Sequence, residues 1–124
     1  MPNTFAELYG RSIKEVFMEH ARKQLEQEGD GLTYADAYAE QGKPDFALAF
    51  LLLTDIADDV KRDILARAYE QRATLSEEKA EALDRQFHRP FPLIKIEAQK
   101  DRMSAQQVRQ QRRIRRETKT LRVN

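Results

Sequence analysis

Hydrophobic residues recur at steps of three and four along most of this chain, which is the spacing of one face of an α-helix. The first such run covers residues 4–28, where Thr4 and Glu7 have the spacing of a capping box. A second, shorter run covers residues 33–42. Each run ends at a glycine, which accepts the left-handed backbone angles that often follow a helix. The pattern therefore predicts two helices in the first third of the chain.

The third run is the most apolar part of the sequence and covers residues 44–72. The whole run is predicted to be one long helix at the centre of the core. Its first half is apolar on nearly every side, so we expect that half to be buried on most sides. As one helix it would be about 43 Å long. Thr74 and Glu77 again have the spacing of a capping box, which predicts a break there and a fourth helix that ends before Pro90.

The segment Arg89–Lys100 breaks the helical pattern, because it contains two prolines and the alternating residues LIKIE. We expect an extended strap over the helices, and a lone extended segment can also pair with its own copy in a homodimer. A basic C-terminal helix is predicted from Ser104 to about Lys119. The predicted fold is all-α: a small four-helix domain with a long central helix, a proline-containing strap and a basic C-terminal helix.

Composition narrows the class of protein. A chain of 124 residues is one domain of ordinary size, and its 35% of charged residues exceeds the roughly 25% of a typical globular domain. The absence of cysteine excludes disulfides and thiolate chemistry. The longest apolar run has far fewer residues than the roughly 20 that a bilayer span needs, and no signal region is visible. We expect a cytoplasmic protein without membrane contact, and no motif indicates a cofactor.

Charge is distributed unevenly along the chain. Residues 1–99 contain 13 Lys and Arg against 19 Asp and Glu, whereas residues 100–124 contain 9 against 2. The sequence thus divides into an acidic helical domain, residues 1–99, and a basic tail, residues 100–124. The candidate partner-binding residues of this tail are Arg109, Arg112, Arg113, Arg115, Arg116, Lys119 and Arg122.

Three interpretations of the basic tail remain open. It is a solvated helix, a strap onto its own or a neighbouring subunit, or an arm that binds nucleic acid or an acidic partner. The planar guanidinium group of arginine can donate paired hydrogen bonds to phosphate oxygens. Since no aromatic residue follows Phe91, contacts with nucleic acid would be independent of base sequence.

The one candidate metal cluster is the aspartate-rich segment around residue 59. Asp55, Asp59 and Asp63 share a helix face, with Asp58 adjacent, and such carboxylates can hold Mg²⁺. The same residues are also typical of a solvated face, with Asp63 and Arg67 as an i, i+4 ion pair.

The two histidines have structural interpretations. His20 lies on the apolar face of the first run, where a core histidine bonded to a neighbour is expected, and His88 is expected to cap the end of the fourth helix. The preferred function is a small non-enzymatic binding or regulatory module that contacts a protein partner or its own copy. The alternatives are a nucleic-acid-associated protein and, remotely, a Mg²⁺-dependent enzyme that uses the aspartate cluster.

Overall fold

The structure, a computed structural model, describes residues 4–111, and these residues form six α-helices and no strand. The helices are α1 (Phe5–Tyr9), α2 (Glu15–Gln27), α3 (Gly31–Glu40), α4 (Pro44–Leu52), α5 (Asp58–Phe87) and α6 (Pro92–Arg109). The prediction of an all-α fold is confirmed. A long helix is present as α5, but it covers residues 58–87 and not the predicted 44–72. Six helices replace the predicted four and the C-terminal helix, because two predicted runs are interrupted and the end of the third run continues into the fourth.

The first predicted run is divided between α1 and α2. Its capping box is confirmed: the Thr4 hydroxyl accepts a hydrogen bond from the Glu7 amide at 3.1 Å, and the Thr4 amide donates to the Glu7 carboxylate at 2.8 Å. Helix α1 ends at Gly10, a residue that weakens a helix interior by about 1 kcal/mol. The Phe5 amide donates to the Asp58 carboxylate at 2.9 Å, which fixes this short helix to the start of α5.

The third predicted run is also two helices, α4 and α5, separated by residues 53–57. The Thr54 hydroxyl donates to the Phe50 carbonyl at 2.6 Å, and such a bond competes with continuation of the helix. The predicted break near Thr74 is wrong, because α5 is continuous for 30 residues. The residues that resemble a cap there bind α6 instead: the Arg102 guanidinium donates to the Thr74 hydroxyl at 3.3 Å and to the Glu77 carboxylate at 3.1 Å.

The structure corrects the extent of the predicted strap. Only residues 88–91 connect the two long helices, and Pro92 occupies the first turn of α6, where its missing N–H costs no hydrogen bond. Most of Arg89–Lys100 is therefore helical and offers no strand for pairing. His88 is the C-cap of α5, as expected, and its left-handed φ of 55° turns the chain back towards α6.

The core lies between the N-terminal half of α5 and a body made of α1 to α4. Phe5, Phe50, Leu51 and Leu65 are fully buried there. The core cluster contains no residue between Tyr69 and Ala105, so it stops well before the end of α5. The body therefore covers only the first part of the long helix.

A group of aromatic rings packs within the body and against its core. Its rings belong to His20, Tyr34, Tyr38, Phe46 and Phe50. The predicted hydrogen bond of His20 to a neighbour is confirmed, since a ring nitrogen lies 3.0 Å from the Tyr38 hydroxyl. His20 is half-buried at the edge of the core and not inside it.

The turn between α3 and α4 approaches the backbone of α5 closely. Gly42 has a φ of +70°, and a Cβ atom at this position would lie 3.0 Å from the Arg72 backbone. Only glycine combines that angle with that distance. This contact marks how far along α5 the body extends.

Candidate functional site

Helix α6 returns antiparallel along α5 and forms a helical hairpin with it. Residues 76–103 of this hairpin lie beyond the body and outside the core cluster, and we call them the hairpin arm. Twelve residues of α5 belong to the arm, which corresponds to about 18 Å of helix. The arm is the most exposed part of the described chain that retains regular structure.

The two helices of the hairpin meet along a seam of positions spaced by three and four residues. On α5 the seam positions are Ala73, Ser76, Ala80, Leu83 and Phe87, and on α6 they are Phe91, Ile94, Ala98, Asp101, Ala105 and Val108. Such spacing is the heptad pattern of a coiled coil. The buried members within the arm are small, namely Ala80 and Ala98 together with Asp101. The arm thus buries little apolar surface of its own.

One edge of the hairpin carries a ladder of ion pairs. Arg109 donates to Asp63 at 2.9 Å and to Glu70 at 2.9 Å, and Arg102 donates to Glu77 at 3.1 Å. The acids lie seven residues apart on α5 and the arginines seven apart on α6, as expected for facing edges of antiparallel helices. The Arg109 hydrogen bond lowers the pKa of Asp63, and the Arg102 hydrogen bond lowers the pKa of Glu77.

A further ion pair lies in the seam itself. The Asp101 carboxylate, only 8% exposed, accepts two hydrogen bonds from Arg72, at 2.9 and 2.8 Å. This bidentate hydrogen bond raises the pKa of Arg72. A polar pair among seam alanines matches only one alignment of the helices, and it therefore specifies their register.

The predicted partner-binding residues separate into two groups. Arg109 is described, and its charge is compensated by two acids of α5 in the same chain. The others lie outside the described residues: Arg112, Arg113, Arg115, Arg116, Lys119 and Arg122. Helix α6 continues across residue 100, where the charge balance of the sequence changes sign.

The aspartates of the cluster contact different parts of the chain. Asp58 accepts the Phe5 amide, Asp59 accepts the Val60 amide, and Asp63 pairs with Arg109 and, as predicted, with Arg67 at 3.2 Å. Within residues 4–111, no group of three His, Cys, Asp or Glu side chains is placed to hold a metal ion. No contact in this part of the chain supports the Mg²⁺-dependent alternative.

The described surface also has two shallow depressions. The larger, about 430 Å³, is lined by Ala39, Glu40, Arg67, Glu70, Gln71 and Thr74. The other, about 340 Å³, is lined by Glu77, Glu81, Lys95, Ile96 and Gln99. Both depressions are open to solvent and are lined largely by charged and amide side chains, unlike the enclosed apolar clefts that usually hold small-molecule ligands.

The arm instead exposes an apolar surface on α6. Leu93, Ile96, Lys100 and Met103 follow a 3-4-3 spacing, and we call them the outer stripe. Leu93 is 75% exposed, Ile96 46% and Met103 39%. Ile96 and Met103 lie two positions, about 200° around the helix, from the nearest seam residues, and Leu93 and Lys100 lie one position from them. The stripe therefore lies on the outer side of α6, and Ile96 also borders the smaller depression beside α5. Sequence reasoning missed the stripe because LIKIE was interpreted as an extended segment, although the 3-4-3 spacing was present.

Comparisons of the chain with protein-family models, with curated proteins and with solved structures give no significant match. No helix within the described range is both long and apolar enough to cross a bilayer.

Proposed function

We propose that this protein is a small non-enzymatic binding module that docks a protein partner through the outer stripe of the hairpin arm. The observation that carries the proposal is the exposure of Leu93, Ile96 and Met103 at helical spacing on a helix whose opposite face is already packed. Isolated exposed apolar residues are common on protein surfaces, but a contiguous stripe on a projecting element is typical of an interaction site.

The energetics support docking at this surface. Complete burial of a Leu, Ile or Met side chain contributes about 1.5–3 kcal/mol. Scaled by the exposed fractions of 75%, 46% and 39%, covering the stripe would contribute about 2–5 kcal/mol. Such a contribution favours a reversible complex, since association itself costs several kcal/mol. A helix that inserts apolar residues at this spacing into a partner is a common mode of recognition.

Site-specific photo-crosslinking in the native cell tests the proposal. A photo-reactive phenylalanine analogue in place of Leu93 is expected to give a discrete protein adduct. The same analogue in place of Lys23, an exposed residue of α2, serves as the matched control and should give none. Equal labelling at the two positions, or no adduct at Leu93, would refute docking through the arm.

A second candidate function is binding of nucleic acid by the basic tail. Six of the seven predicted basic residues follow Gln111, while Arg109 is already paired with α5. Six phosphate contacts would give a slope of about −4 for a single strand to about −5.5 for a duplex in a plot of log K against log salt concentration. Fluorescence anisotropy of labelled RNA with the full chain and with residues 1–111 tests this candidate. Equal binding by both, or a flat salt dependence, would exclude it.

A further inference from the structure

The outer stripe belongs to a helix that is free on one side along its whole described length. Apart from marginal contacts, α6 packs on α5 alone. We infer that the occupant of the outer stripe is a second copy of this chain, with the two α6 helices antiparallel and related by a two-fold axis between Ala98 and Gln99. This inference rests on the proposed function and specifies its partner.

Charge complementarity supports a second copy. Glu97 and Lys100 lie on or beside the stripe and are 68% and 59% exposed, and their contact within α6 is a long one of 3.6 Å. A two-fold axis between Ala98 and Gln99 places Glu97 of each copy opposite Lys100 of the other. The dimer therefore has two equivalent contacts of this kind. The same axis sets Leu93 of one copy near Met103 of the other. The stripe is therefore complementary to itself, as an isologous interface requires.

The charge of the arm disfavours the chain's own basic tail as the occupant. Lys95 and Lys100 are exposed beside Ile96, and the chain beyond Gln111 contains six basic residues and one acidic residue. Like charges would oppose each other along the stripe. Glu97 of a second copy meets Lys100 without this repulsion.

Sedimentation equilibrium of the purified full chain provides the first test. The stripe is small for an interface, so we expect a reversible shift from the monomer mass of 14.5 kDa towards twice that mass at tens to hundreds of micromolar protein. Ile96→Lys should weaken the dimer at least about tenfold, because it removes apolar contact and places a lysine near Lys100 of the other copy. Since Ile96 is 46% exposed, the circular dichroism of this variant should match the parent. A chain that stays monomeric at about 500 µM would overturn the inference.

Charge reversal gives the sharper test. Glu97→Lys places two lysines opposite two lysines in a homodimer, and Lys100→Glu places two glutamates opposite two glutamates. Each variant alone should be monomeric, and an equimolar mixture should recover the dimer, because the opposed charges are then complementary at both contacts. Contacts within one helix cannot explain recovery on mixing. Glu19→Lys, an exposed change on α2, is the control and should leave the wild-type dimer unchanged.

The two proposals fail in different ways. A monomeric pure chain combined with a Leu93 adduct to a different protein would overturn self-pairing and support the proposed docking function. Homodimers that resist Ile96→Lys would overturn this interface, and so would an adduct to nucleic acid at Leu93. No adduct of any kind at Leu93 would overturn both proposals.

Discussion

Replacement of Asp101 with asparagine tests whether the seam ion pair specifies the register of the hairpin. Asparagine has nearly the same shape, so the substitution leaves no cavity. Asp101 is 8% exposed and accepts two hydrogen bonds from Arg72. The change therefore removes the charge and one of the two acceptor oxygens, because the amide nitrogen of asparagine is a donor.

The expected loss follows from the geometry. A hydrogen bond to a charged group contributes about 1.5–3 kcal/mol, and Asp101 accepts two of them. The Arg72 side chain is 44% exposed and is rehydrated when its partner is neutral, which reduces the sum by roughly half. We expect Asp101→Asn to lower the free energy of unfolding by about 1.5–3 kcal/mol. The melting temperature should then fall by about 5–12 °C.

Urea unfolding followed by circular dichroism, at one protein concentration, measures this loss. The matched control is Glu15→Gln, which removes an ion pair to Arg22 of similar length, 2.8 Å, at side chains that are 47% and 69% exposed. The control should cost less than about 0.5 kcal/mol. If Asp101→Asn costs no more than Glu15→Gln, burial does not strengthen the seam pair and its role in register is refuted.

Two further predictions concern the body. Gly42→Ala should lower the free energy of unfolding by about 2 kcal/mol or more in the same urea assay, because alanine is strained at a φ of +70° and its Cβ would crowd the Arg72 backbone; a neutral effect would contradict this close approach. Burial raises the pKa of Tyr9 and of Tyr69 to about 12, so the unfolded chain loses both protons near pH 10 while the folded chain retains them. The urea midpoint should therefore fall as the pH rises from 10 to 12, and Tyr69→Phe should make that decline shallower; an unchanged slope in the variant would refute the contribution of Tyr69.

Several features of the fold were predictable from the sequence because local chemistry determines them. The N-cap at Thr4 is predicted by Glu7 three residues later. The C-cap at His88 is predicted because Pro90 ends the helix that precedes it. Phe50 lies in a run that is apolar on nearly every side, and a helix of that kind is buried on most sides. In each case the decisive contacts lie within a few residues.

The second half of the chain was less predictable because distant contacts decide it. Thr74 and Glu77 form a convincing capping box in isolation, and only Arg102, on another helix, explains why they do not cap. The five residues LIKIE satisfy both an alternating and a helical period. Packing on α5 selects the helical one.

The candidate site illustrates the same division. The basic character of Arg102 and Arg109 was evident, and a strap onto the chain's own body was one of three interpretations. The seven-residue spacing of Asp63, Glu70 and Glu77 was a further signal for facing helices. The outer stripe required knowledge of which face of α6 is packed, and the sequence of α6 alone does not contain that knowledge.

The antiparallel return of α6 separates the two ends of the hairpin. Arg109 contacts Asp63 near the start of α5, so the chain leaves Gln111 beside the body, whereas Leu93 lies at the far end of an 18-residue helix about 27 Å long. A fluorophore attached at Gln110, the C-cap of α6, would therefore lie about one helix length from the hairpin tip and would not obstruct it. If two copies pair through α6, their two Gln110 residues lie at opposite ends of the paired helices, so two such labels would be held far apart.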